Sequence, residues 1–302
     1  MSQRRTRTDD GTGSRRSRIK GRLLTAAGSA LLLLGSFGVF GARILTRDPG
    51  RGLFETFWQD LVTVLIGGGI VCGTGGLLYS RGQRHLQPTA EEVTARDTRP
   101  PVLYLRSFLD DSVTRRSTLA GSYAYGYTQY TEEQELAQAL EHMGPFIAVG
   151  EPGEELPQLG ASRLYMDEGW QARVIDLMTG ARLVVLRLGT TEGLWWEFEQ
   201  ARTRLSPERL LLLVPDGTDE YERFRRRAWT ELAVHLPPYS PVFDFPDGGL
   251  SMRGAIFFGP DGTPYAIPFR KVPVPVTRAS TVRRDYLRRT LHPVFAQLHR
   301  DV

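Results

Sequence analysis

The chain has 302 residues, 24% charged and 41% hydrophobic, with a formal net charge of +4. Its 14 Phe, 11 Tyr and 5 Trp supply a core and exclude disorder throughout, and a single cysteine, Cys72, excludes a disulfide scaffold and a zinc finger. Residues 1–99 hold 15 basic and 8 acidic side chains, leaving 23 and 26 for residues 100–302. The basic balance therefore belongs to the N-terminal third, and the remainder carries no broad electrostatic footprint for nucleic acid.

Residues 1–22 form a basic tail with eight Arg or Lys. Leu23–Ala42 and Leu61–Ser80 are uncharged runs of 20 residues each, about the length of a helix that crosses ~30 Å of hydrocarbon. They predict a transmembrane hairpin over 23–80, anchored in a lipid bilayer. Gly67, Gly68, Gly69, Gly73, Gly75 and Gly76 permit close helix contact in such a hairpin. The excess of Arg and Lys outside the spans predicts a multi-pass cell-membrane protein with both termini cytoplasmic. Residues 81–100 are polar, end on Pro100-Pro101 and read as a linker.

Strand and helix patterns then alternate. Val102–Arg106 is β-rich, and a loop with SYAYGYTQY at 122–130 follows it. Glu132–Met143 is helical through Leu136, Leu140 and Met143, with Thr131 as N-cap. Phe146–Val149 is a second strand, and Gly150–Tyr165 a Gly/Pro-rich loop. Helices at Glu168–Gly180, Gly193–Leu205 and Asp219–Val234 alternate with strands at Arg182–Leu188, Leu210–Val214 and Val242–Phe245. Strands separated by helices imply parallel pairing, so the expected fold is a flavodoxin-like, doubly wound parallel α/β sheet over 101–249. Residues 250–302 read as an appendage, a hairpin from Ala255–Phe258 and Pro264–Phe269 followed by an amphipathic helix over 281–299.

A doubly wound sheet binds ligands beyond the carboxyl ends of its strands. Those ends carry the loops that begin at Arg106, Gly150, Gly189 and Pro215. Arg106, Ser107, Asp110, Gly150 and Arg163 are therefore candidate ligand contacts, with ion pairing and ordinary loop chemistry as the alternatives. No dinucleotide, phosphate-loop, serine-hydrolase or zinc-protease motif is present, and no metal site or bound cofactor is expected.

The most informative stretch is ARLVVLRLGTTEGLWWEFE at 181–199. It resembles the Toll/interleukin-1 receptor (TIR) domain, in which an apolar strand leads through a short loop to a tryptophan and a glutamate on the next helix. VLYLRSFLDD at 102–111 resembles the first TIR strand with its polar loop, and 150–165 sits where TIR domains carry their BB loop. The resemblance covers roughly 102–245. Gly193-Leu194 stand where a serine is usual before the tryptophan.

Some TIR domains cleave NAD at the nicotinamide–ribose bond with a glutamate at the position that matches Glu197. The resemblance thus implies a signalling or defence module with Glu197 as the candidate catalytic carboxylate and Trp196 as a ring to stack on NAD or a related nucleotide. It also implies self-association, because TIR active sites are often completed by a neighbouring subunit. A non-catalytic nucleotide-sensing or interaction module is the alternative. On helical geometry Glu197 lies about 70° from the buried stripe of Leu194, Phe198, Ala201 and Leu205. The macrodipole favours an acid early in a helix regardless of function.

Overall fold

The structure is a computed structural model that describes residues 17–45, 69–107, 132–150, 156–157, 159–165, 169–243, 252–270 and 279–298. Two helices, α1 (Arg18–Leu45) and α2 (Gly69–Leu86), pack as an antiparallel hairpin, and a short α3 (Ala90–Thr94) follows. A reciprocal capping box between Thr89 and Glu92 starts α3. The α/β part then runs β1 (Val102–Leu105), α4 (Glu132–Leu140), β2 (Phe146–Gly150), β3 (Ser162–Tyr165), α5 (Trp170–Gly180), β4 (Leu183–Arg187), α6 (Glu192–Arg204), β5 (Leu210–Pro215) and α7 (Thr218–Leu232). Strands β6 (Met252–Phe258) and β7 (Pro264–Pro268) and helices α8 (Ala279–Thr290) and α9 (His292–Leu298) complete it.

All seven strands join one sheet in the order β3-β2-β1-β4-β5-β6-β7. The first five are parallel and the last two antiparallel. Side chains alternate across the pleat. Leu103, Leu105, Ile147, Val184, Leu186, Leu212 and Val214 line a front face under α5, α6 and α7. Val102, Tyr104, Phe146, Ala148, Leu183, Val185, Leu211 and Leu213 line a back face under α4, α8 and α9. Helices on both faces leave no solvated side, so VLYL, LVVL and LLLLV run without polar alternation.

The crossover direction changes once. Helix α4 carries the chain from β1 to β2 across the back; α5 and α6 carry it from β3 to β4 and from β4 to β5 across the front. A right-handed crossover dictates this exchange of faces when the winding reverses. The reversal lies between β1 and β4, where a doubly wound sheet opens a crevice at its carboxyl edge.

Three expectations are corrected. The sheet is mixed rather than parallel throughout, because β6 pairs with β5 from Leu211↔Phe257 to Pro215↔Met252 and so extends the same sheet. Residues 162–165, read as part of a loop, form the edge strand β3, in register with β2 from Ile147↔Ser162 to Gly150↔Tyr165. A strand of four residues, Ser162–Tyr165, gives too short an alternation to register as a strand in the sequence. At Val242–Phe245, Val242 closes a helical turn that begins at Tyr239; Phe245 lies outside the described residues.

The transmembrane hairpin and the multi-pass membrane placement are also overturned: among the described residues, no helix is long and apolar enough to cross a membrane. The described part of α2, Gly69–Leu86, carries Arg81, Arg84 and His85 in its second half, and residues 61–68 of the uncharged run lie outside the described residues. Helix α1 opens on three basic residues, Arg18, Lys20 and Arg22.

What the glycines do in these helices is bring two backbones together. A Cβ on Gly28 would stand 2.7 Å from the carbonyl oxygen of Gly75 and clash with the backbone nitrogen of Tyr79. One on Gly82 would stand 2.5 Å from the backbone nitrogen of Thr25, and one on Gly35 would stand 2.6 Å from Cys72 Sγ. Gly76, in the same helix, faces open space. Alanine at a free helical position gains up to ~1 kcal/mol in propensity, whereas overpacking against backbone costs roughly 1–3 kcal/mol. Gly76→Ala is therefore expected to stabilise by up to ~1 kcal/mol and Gly28→Ala to destabilise by about 1–2 kcal/mol. Urea unfolding followed by circular dichroism separates the two; equal midpoints would mean that the helices part freely.

Candidate functional site

On the back face of β1 and β4 the next positions at the carboxyl edge are arginines, and a third arginine stands on β3, level with Ala148 and Tyr104. Arg106 follows Val102 and Tyr104, Arg163 lies on β3, and Arg187 follows Leu183 and Val185. Arg106 and Arg187 are neighbours, one step beyond the Leu105↔Leu186 pair. The side chains of Arg106 and Arg163 are 7% and 2% exposed.

Glu133, in the first turn of α4, stands between them. Its carboxylate accepts from Arg163 Nη2 at 3.0 Å, lies 3.5 Å from Arg106 Nε, and accepts the backbone N–H of Ala161 at 2.8 Å. Burial pulls the Arg106 guanidinium below its ordinary pKa; Glu133 opposes that shift, while Arg163 and Arg187 add to it. Burial likewise raises the Tyr104 phenol, with Arg187 and Arg106 working the other way. These guanidiniums are buried close together and repel one another. An anion placed among them relieves that repulsion and offers acceptors to their planar N–H forks.

Ser107 is buried beside the loop after β4, where a Cβ on Gly189 would stand 3.8 Å from that of Ser107 and 3.7 Å from Glu220 Oε1. The loops after β1 and β4 and the start of α7 thus meet at the reversal point.

The remaining candidates lie elsewhere. Gly150 ends β2 against the ring of Tyr165, which a Cβ would approach to 2.6 Å, so the glycine makes room for an aromatic side chain. Trp196 packs edge-on against Trp170 at 5.1 Å and fastens α6 to α5. Asp110 and the tyrosines of 122–130 lie outside the described residues. Glu197 is buried on α6, among Leu194, Trp195, Phe198 and Ala201 beneath the front face. Burial alone pushes its carboxyl up to about 8. The sheet therefore separates Glu197 from the arginine cluster on the back face.

Sequence reasoning passed over Glu133 and Arg187. Glu133 is one of three glutamates among residues 132–135, and the sequence does not single it out. Arg187 was visible as a charge inside the apolar run RLVVLRL, a position that a both-sides-buried strand gives to charge only with a polar partner. Among the described residues, no group of three His, Cys, Asp or Glu side chains is placed to hold a metal ion.

No protein-family model, curated protein or solved structure matches the chain.

Proposed function

We propose that the chain is a ligand-sensing α/β module whose crevice takes a phosphate-bearing small molecule of the nucleotide class. One observation carries this reading: Glu133 holds Arg106 and Arg163 on the back face, and Arg187 stands beside Arg106 at the carboxyl edge next to the β1/β4 reversal. That is where doubly wound sheets hold ligands, and guanidinium forks are matched to phosphate oxygens. The backbone at Gly189 and the buried Ser107 hydroxyl supply neutral hydrogen-bonding groups along the same edge. The TIR resemblance supports a nucleotide over a simple dicarboxylate.

Thermal unfolding with NAD, ADP-ribose and inorganic pyrophosphate tests it. Ligand at a hundred times its Kd adds about 2.7 kcal/mol, a rise of roughly 5–10 °C for a chain of this size. Arg106→Met and Arg163→Met are expected to weaken binding at least tenfold. No shift with any of the three at millimolar concentration would discard the reading.

Cleavage of NAD is a second reading, favoured by Glu197, a carboxyl that burial pushes up to about 8, because active sites gather carboxyls with perturbed pKa values. In that reaction water replaces nicotinamide on the ribose carbon, and an anionic carboxylate stabilises the oxocarbenium-like centre. Nicotinamide release from NAD between pH 6 and 9 decides it. No release anywhere in that range removes the enzyme, and a Glu197→Gln variant as fast as the parent removes Glu197 from the role.

A further inference from the structure

We infer that the peptide unit between Gly160 and Ala161 mechanically links the α1/α2 hairpin to the arginine site, so that seating of the hairpin and occupancy of the site are coupled. This rests on the binding reading above for its ligand, but the linkage itself is a property of the fold.

The peptide unit is gripped at both ends. Its carbonyl oxygen accepts from Gln87 Nε2 at 3.1 Å, immediately after α2. Its N–H donates to Glu133 Oε1 at 2.8 Å, the carboxylate that holds Arg106 and Arg163. Because a peptide is planar and rigid, a tilt imposed at the oxygen is delivered at the N–H.

Residue 160 must be glycine for this arrangement. Its φ is +137°, and a Cβ would stand 2.7 Å from Glu133 Cγ. The preceding turn is held by the same helix: Arg84 donates through Nε to the carbonyl of Pro157 at 2.9 Å and through Nη2 to that of Leu156. The end of α2 thus carries the segment 156–161, and that segment leans on the acid at the centre of the site.

Two arrangements of the hairpin end would present Glu133 to its arginines in two ways. Coupling between sites is reciprocal, so whatever factor the seated hairpin adds to anion affinity, the anion adds to seating. Hydrogen bonds from Gln87 and Arg84 are half-buried side-chain contacts, weak enough to break without unfolding the sheet.

The test uses the full chain and two readouts. The first needs no ligand: a double-mutant cycle on the unfolding constant with Gln87→Ala and Glu133→Gln. Sites without a shared element add to within about twofold. We expect the effect of Gln87→Ala to shrink at least threefold in the Glu133→Gln background, and an additive cycle overturns the linkage. The second is calorimetric titration with inorganic pyrophosphate, in which Gln87→Ala and Arg84→Ala are each expected to weaken binding about fivefold or more. An affinity unchanged by both substitutions overturns the coupling. If the parent chain does not bind pyrophosphate while the cycle is non-additive, the phosphate reading fails and the mechanical link stands.

Discussion

Glu197→Gln is expected to leave stability near pH 4.5 unchanged to within about 0.5 kcal/mol and to raise it by on the order of 4–5 kcal/mol at pH 8.5. The carboxyl lies 9% exposed on α6, and burial alone lifts it from 4.5 to about 8. Between those two values the unfolded chain has released the proton and the folded chain has kept it. The unfolded state then binds fewer protons than the native state, so folding weakens as pH rises, by up to ~1.4 kcal/mol per unit from this one group. Below pH 4.5 both states are protonated and the loss vanishes; above about 8 both are ionised and it is complete. Glutamine keeps the shape and the helix propensity of glutamate without the titration. Urea midpoints of the two proteins, taken from pH 4.5 to 9, should therefore diverge steadily. Parallel curves would mean that the carboxyl is solvated or hydrogen-bonded in its ionised form.

The same titration bears on cleavage of NAD. With a pKa near 8, roughly a tenth of Glu197 is anionic at pH 7. A neutral acid does not stabilise a developing oxocarbenium centre. Catalysis through Glu197 would therefore speed up about tenfold from pH 7 toward a plateau above 8. A nucleotide-binding role for the back-face arginines carries no such signature.

The α/β character was legible because buried strands and helix periodicity are local signals. VLYL and LLLLV cannot be mistaken for solvated segments, and Leu136, Leu140, Val174 and Phe224 mark helix faces by spacing alone. Strand β3 was hidden because its four residues include a buried arginine, and hydropathy does not distinguish a paired charge from a solvated one. The antiparallel edge was hidden for another reason. The hairpin β6–β7 is legible, but the strand it pairs with is decided by which sheet edge lies open. Of the glycines named for close packing, Gly75 lets α2 meet the backbone of α1 at Gly28, whereas Gly76 faces open space. Glu197 and Arg106 looked like one constellation because both belong to segments at the carboxyl edge. Their faces differ, and side-chain parity in the strands, counted from Val102, places the arginine on the back.

Glu133→Ala is expected to be the most damaging single substitution at the site, at about 3–5 kcal/mol, or on the order of 10 °C in Tm. The carboxylate is 9% exposed and meets Arg163, Arg106 and the N–H of Ala161. Removing it leaves two guanidiniums buried to 2% and 7% exposure, with Arg187 close enough to repel Arg106. Uncompensated buried charge, rather than the lost hydrogen bonds, dominates the cost. The order of variants follows from that. Arg163→Met in the Glu133→Ala background removes a charge and fills its volume with a flexible apolar chain, so the double variant is expected to be more stable than Glu133→Ala alone. Inorganic phosphate should rescue Glu133→Ala more than it stabilises the parent, because the anion then replaces the missing carboxylate. Thermal unfolding of the three proteins with and without phosphate measures all of this. A loss below ~1 kcal/mol for Glu133→Ala, with no phosphate rescue, would show that water already serves the arginines and that the cluster is no anion site.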